Sequence, residues 1–228
     1  MRHRVWRTAG FGLLLAGLVF PRPAEANILC KWFGHCIYES PGFRLTVVDK
    51  ETGQPLQDVH ALAEWQMYAR HGRNGPLMVQ DALTGPDGVL TFPAWGSIRA
   101  PSVGLVLNHD PVISLFKPGY EALIIYNRPG TDETERVRGL SQNGETFALQ
   151  PFRGTPEEWV RQEHLLQVAL GFAGPIADEQ LLRFRKLYLN RLRLVWAERE
   201  KLPERFQYRG QFFWSLEGVL RFLEEGHR

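Results

Sequence analysis

Residues 41–153 are a succession of short apolar or alternating runs, cut at near-regular intervals by Gly, Pro, Asp or Asn, and this punctuation constrains the fold more than any other feature. FRLTVV (43–48) sends Phe43, Leu45 and Val47 to one face and Arg44, Thr46 and Val48 to the other, the pattern of a half-buried strand. After the polar stretch DKETGQPLQD, Val59, Ala61, Ala63, Trp65 and Met67 alternate with His60, Leu62, Glu64, Gln66 and Tyr68, which predicts a long second strand. LMVQDALT, the tight turn GPDG, VLTFP, VGLVLN, VISLF, YEALIIYN and ETFALQ continue the series. Regular short strands with turns between them predict an antiparallel β-sandwich rather than a parallel α/β sheet.

The pattern changes near Gly154. Thr155-Pro156-Glu157-Glu158 combines an N-cap residue, a proline at the first helical position and two acids in the first turn, so a helix is expected through Trp159, Glu163, Leu166 and Leu170. A second helix is expected from Asp178. Its stripe of Leu181, Phe184, Tyr188, Leu192 and Val195, flanked by Leu182, Leu189 and Trp196, opposes Arg183, Lys186, Asn190, Arg193 and Glu200. Pro203 ends it, and SLEGVLRFLEE predicts a short third helix after Phe212-Phe213-Trp214. The stripe is expected to pack on the sandwich or on neighbouring helices; an excess would mark a docking surface.

The first 26 residues have the make-up of an export signal: a basic start, the apolar run AGFGLLLAGLVF, and a small-x-small ending with cleavage expected between Ala26 and Asn27. The apolar run falls short of the roughly 20 residues of a membrane span. An acylated Cys30 is the alternative, although Asn27, Ile28 and Leu29 are a poor lead into one. Export places Cys30 and Cys36 in an oxidising compartment, where they are expected to close a structural disulfide in segment 27–41; five intervening residues fit a redox dithiol poorly, and two cysteines alone fall short of a closed zinc site. Residues 1–26 carry Arg2, Arg4, Arg7 and Arg22 against Glu25, so the whole-chain charge of +2 becomes −1 without them. No nucleic-acid or anionic-lipid partner is therefore expected. Arg outnumbers Lys 22 to 5 throughout, so the Arg-rich helix face is expected to be a solvated one.

Val48-Asp49, then Thr52-Gly53-x-Pro55-Leu56-x-x-Val59, then Pro86-Asp87-Gly88-Val89-Leu90-Thr91-Phe92-Pro93, and later Lys117-Pro118-Gly119-Tyr120, together resemble the carboxypeptidase regulatory-like domain. The resemblance covers about residues 42–127. It implies a transthyretin-like (prealbumin-like) sandwich, here assigned to 42–153 with a helical region at 154–228, and an accessory, adhesive or spacer role. The longer stretch YARHGRNGPLMVQ departs from the family pattern and is expected to form a protruding loop over 68–80. The opening Val47-Val48-Asp49-x-x-x-Gly53-x-Pro55 and the later Tyr208-Arg209-Gly210 also resemble parts of the transthyretin-like hydrolase of 5-hydroxyisourate. Thr46 stands where that family has its active-site His, and Gln211 follows where it has Ser.

No catalytic constellation accompanies these motifs. The seven His (3, 35, 60, 71, 109, 164 and 227) never take the i, i+4 spacing of a zincin, there is no G-x-S-x-G elbow, and no Gly-rich phosphate cradle follows a strand. Glu133 and Glu135, and Glu224 and Glu225, have solvated flanks. His60 invites attention because it lies opposite the Trp65 row, and an enzyme would need His60, His109 and a carboxylate to converge. Trp32, Tyr68 and Trp95 are the aromatics a ligand site could use. The expectation is thus a non-catalytic periplasmic or secreted module, without cofactor, metal or later membrane span, that binds or positions an envelope component, with its C-terminal helices as a docking element. A glycan or small-ligand binder is the alternative, and a transthyretin-like hydrolase the third reading.

Overall fold

The computed structural model describes residues 35–69, 72–101, 105–106, 110–128, 136–169, 182–207 and 216–225, and for some residues at the ends of these stretches the backbone alone. Among them are ten strands: β1 (His35–Ser40), β2 (Phe43–Asp49), β3 (His60–Ala69), β4 (Gly72–Leu83), β5 (Val89–Phe92), β6 (Trp95–Pro101), β7 (Leu105–Val106), β8 (Val112–Phe116), β9 (Leu123–Tyr126) and β10 (Thr146–Leu149). Four helices follow: α1 (Pro156–Ala169), α2 (Arg185–Arg199), α3 (Glu204–Gln207) and α4 (Leu216–Glu225). The chain is mainly β with C-terminal helices, as the pattern predicts.

The strands form three sheets, β1-β6, β10-β2-β5 and β4-β3-β8-β9, with β7 beside β3. Phe43, Leu45 and Val47 of β2 meet Ala61, Ala63 and Trp65 of β3 and Ile113 and Leu115 of β8 in one apolar core. Trp65 anchors it, with its ring edge-on to Trp95 at 5.2 Å and to Phe43 at 6.2 Å. Trp95 is only 8% exposed, which removes it from the ligand-contacting aromatics; Trp32 lies outside the described residues, as does the side chain of Tyr68.

Three further features differ from the pattern's expectation. Segment 68–80 is mostly strand: β3 and β4 stay paired from His60↔Leu83 to Ala69↔Gly72. Pro76 sits opposite Gln66 at a register shift on an edge strand, where a missing N–H is tolerated. The sheets are not wholly antiparallel, since β10 runs parallel to β2 from Thr146↔Thr46 to Leu149↔Asp49. Finally, β1 and β6 pair with each other although neither shows a clean alternation of residue types. HCIYES and WGSIRAP mix small, polar and aromatic residues, and Cys36, Tyr38 and the polar Ser40 are buried on one face. Cys30, Ala26 and Asn27 lie outside the described residues.

The helices cover the second face of the β4-β3-β8-β9 sheet. The capping box at the start of α1 forms as the motif requires: Glu158 Oε2 accepts the Thr155 N–H at 2.7 Å, and Thr155 Oγ1 accepts the Glu158 N–H at 3.3 Å. On α2 and its flanking residues, Phe184, Tyr188, Leu192 and Val195 are buried while Arg183, Lys186, Asn190, Arg193 and Glu200 are exposed, as the stripe and its solvated opposite face require; Leu181 and the expected start at Asp178 lie outside the described residues. The stripe packs on Leu62, Val79 and Phe116 of the sheet together with Trp159 and Leu166 of α1 and Val219 and Leu223 of α4. Buried Arg199 ties α2 to buried Glu163 of α1 at 3.0 and 3.2 Å. No helix among the described residues is long and apolar enough to cross a membrane.

Candidate functional site

The His60-Leu62-Glu64-Gln66 row of β3 is as buried as the Trp65 row, and at His60 and Leu62 the helices supply the cover. A strand buried on both faces has to find partners for its polar side chains, and the partner of His60 comes from α2. Arg191 lies three residues after Tyr188 and four before Val195, within the apolar stripe, so helical geometry drives its guanidinium into the sheet. It is fully buried. Its Nε donates to His60 Nδ1 at 3.0 Å, its Nη1 to Ser114 Oγ at 3.2 Å, and its Nη2 to the carbonyls of His60 and Ser114, both at 2.8 Å. The face of Phe116 lies 5.7 Å from the guanidinium carbon.

These contacts fix the proton on the imidazole. A nitrogen that accepts the Arg191 N–H carries no proton of its own, so neutral His60 holds its proton on Nε2, which faces Asp81 Oδ2 at 3.6 Å. Asn190 of α2 donates to the same Oδ2 at 2.9 Å. Burial, followed by the charge of Arg191, holds the His60 imidazole below its ordinary value of 6.5 against the pull of Asp81. His60 and Asn190 hold the Asp81 carboxyl below its ordinary 3.8. Burial also lowers Arg191 to about 9, opposed by Glu64 and Asp81.

Ser114, His60 and Asp81 are residue types that nucleophilic catalysis uses, but their connections run differently here. The Ser114 hydroxyl oxygen and His60 Nδ1 both accept hydrogen bonds from Arg191, so the imidazole nitrogen with a free pair is committed to a cation rather than to the hydroxyl. All three sit between sheet and helix, with Ser114 and His60 buried. The arrangement holds α2 against β3 and β8. His109, the other half of the His60–His109 convergence that an enzyme would need, lies outside the described residues. Glu224 is exposed and takes Arg193, as a solvated carboxylate would; Glu133 and Glu135 lie outside the described residues.

The motif residues converge elsewhere. Asp49 Oδ1 accepts the N–H groups of Glu51 and Thr52 at 2.9 and 2.8 Å, and the Tyr120 hydroxyl donates to Asp49 Oδ2 at 2.8 Å. The Thr52 N–H and the Tyr120 hydroxyl hold the Asp49 carboxyl below its ordinary range, and Asp49 in turn raises the Tyr120 phenol. Gly88 closes the PDG turn at φ +69°, where a Cβ would stand 2.5 Å from the Val47 carbonyl oxygen. The VD, TG, PDG and KPGY elements therefore brace one end of the β2 sheet.

Beside this cluster, an open groove of about 550 Å³ runs where α1 meets the strand ends, lined by Glu121, Gln150, Phe152, Arg153, Glu158 and Gln162 among others. Most of its polar groups already have partners within the chain. Arg153 and Gln150 reach Glu51 at 2.8 and 3.2 Å, Glu158 caps α1, and Gln162 donates to the Tyr120 carbonyl at 3.3 Å. No group of three or more His, Cys, Asp or Glu side chains among the described residues is arranged to hold a metal ion.

No family model matches the sequence, and no characterised protein matches it by sequence. Several solved structures are similar to part of the chain. A 3-chlorocatechol 1,2-dioxygenase from Rhodococcus opacus 1CP is 19% identical over 52% of this chain and 61% of that one, with a TM-score of 0.29. The pilus 2b backbone protein of group B streptococcus is 13% identical over 50% of this chain and 42% of that one, at 0.25. The C-terminal domain of the shaft pilin SpaA of Lactobacillus rhamnosus GG is 9% identical over 51% and 98%, at 0.20. The chain thus spans less than two thirds of the dioxygenase and of the pilus backbone protein. At these scores none of the likenesses bears on function.

Proposed function

We propose that the chain is a non-catalytic exported module, built on a prealbumin-like sandwich closed at its start by a Cys30–Cys36 disulfide, that binds or positions another protein or envelope component. The observation that carries this reading is the engagement of His60: the histidine best placed for chemistry is 5% exposed and spends its accepting nitrogen on Arg191, holding one layer to another. The motif carboxylate Asp49 is likewise engaged in turn contacts. Both uses are those of a scaffold.

The helices enter this reading in changed form. The apolar stripe of α2 is covered by the sheet, so a partner would meet the outward face of Arg183, Lys186 and Arg193 or the strand edges. In-cell crosslinking of the exported full-length protein, followed by mass spectrometry, tests the proposal. A specific captured envelope protein that is lost when Lys186 and Arg193 are changed to Glu is the expected result. Deleting 155–228 would be a poor control, because it strips the cover from Leu62, Val79 and Phe116. Turnover of a substrate by the purified protein would overturn the reading.

The groove beside Phe152 favours a second reading, a glycan or small-ligand binder. Titration with a glycan-fragment panel checks it, with Phe152→Ala as the variant expected to abolish any binding found.

A further inference from the structure

The contact that seats α2 on the sheet depends on the protonation state of one side chain. Arg191 approaches His60 with an N–H, and only an unprotonated Nδ1 can receive it. We propose that His60 and Arg191 form an acid-sensitive latch: protonation of the imidazole sets two cationic donors against each other at the sheet–helix boundary and loosens the α2 layer from β3 and β8.

The groups facing the latch come from every element packed around it. β3 contributes Glu64, β4 contributes Asp81, β8 contributes the neutral Ser114 and Phe116, and α2 contributes Arg191 itself and the neutral Asn190. Asp81 would welcome an imidazolium. It stands 3.6 Å from Nε2, however, is partly open to water and is already shared with Asn190, whereas the Arg191 contact is direct and sealed. Burial of the imidazole, aided by the buried cation on the Nδ1 side, therefore outweighs the pull of Asp81 and decides the sign.

With His60 held below 6.5 while docked and returning towards 6.5 once released, the docked layer binds fewer protons than the loosened one. Docking is then fully supported above pH 6.5 and weakens as pH falls. The ratio of loosened to docked forms rises about tenfold per pH unit below 6.5, until the docked imidazole itself takes up a proton. Asp81 stays ionised through this window because its carboxyl lies below 3.8. The latch does not depend on the proposed function; it requires only that the helices be seated as described.

Hydrogen exchange of the full-length protein, read by mass spectrometry at pH 7.5, 5.5 and 4.5 and corrected for intrinsic rates, tests the proposal. The α2 amides are expected to open more often at pH 5.5 than at 7.5, by up to about tenfold, with β2 and β5 unchanged. His60→Gln offers Arg191 an acceptor that does not titrate and should flatten this response. An unchanged α2 at pH 5.5, or a variant with the full acid response, would overturn the latch, the second outcome assigning the response to Glu64 or another carboxylate. Should the variant not fold, nitrogen NMR of histidine-labelled wild-type protein decides instead. A proton on Nε2 at pH 7.5 with a midpoint below 6.5 supports the latch, and a midpoint at or above 6.5 overturns it.

Discussion

The sandwich and the helical layer each bury an arginine completely, and they solve the problem in different ways. Arg138, at the end of the sandwich, faces the carboxylate of Asp110, and both side chains are wholly buried. Its carbonyl accepts the Ser40 hydroxyl at 2.6 Å and the Trp65 indole N–H at 3.2 Å, while Asn127 donates to the Asp110 carbonyl at 2.7 Å. Arg191, at the boundary, donates instead to an imidazole, a hydroxyl and two carbonyls. The first arrangement cancels charge and locks the sandwich. The second leaves charge uncancelled in its immediate contacts, so burial lowers Arg191 to about 9, and the proposed latch makes the helical layer the part that acid would loosen.

Replacing the two arginines in turn separates these cases. Arg138→Met leaves the Asp110 carboxylate buried without its cation, and a loss of about 3–5 kcal/mol in urea unfolding is expected, spread over the whole sandwich. Arg191→Met removes a costly buried cation along with its hydrogen bonds, so the loss should be smaller, about 1–3 kcal/mol, and should show as faster exchange in α2 rather than in β2. An equal loss for both would erase the distinction. Gly88→Ala forces a side chain into positive φ against the Val47 carbonyl oxygen, and a cost of about 1–3 kcal/mol confined to the β2–β5 end is the expected reading of thermal unfolding. Thr155→Ala should weaken only the start of α1, by about 1 kcal/mol, measurable as increased exchange at 156–160. Smallest of all, Arg193→Ala breaks an ion pair whose partners are both exposed and should change stability by less than about 0.5 kcal/mol in the same unfolding assay.

Much of the fold is legible in the residues. The β2 alternation, the length of β3, the Thr155 cap and the α2 stripe each follow from a local period or a capping chemistry that acts over one or two turns. β1 and β6 are not, because their burial is decided by pairing with each other rather than by their own composition. The second burial of β3 was equally hidden: His60, Glu64 and Gln66 read as a polar face, and at His60 and Leu62 it is helices about a hundred residues or more away that make that face interior. A signal for Arg191 did exist, since its spacing from Tyr188 and Val195 places it within the stripe. Arg199, four residues after Val195, carries the same signal and is also buried.

By itself, the sequence determined that the chain changes from turn-punctuated strands to helices near Gly154, which residues turn and cap it, and which face of α2 is apolar. Those properties depend on neighbours within a few residues, where backbone geometry leaves little choice. Tertiary structure alone decided that the stripe would close on β3 and β8, that β10 would lie parallel to β2, and that a lone histidine would meet a lone arginine in the dry space between. Such contacts join residues as far apart as 60 and 191, and their energies depend on burial that no local pattern carries.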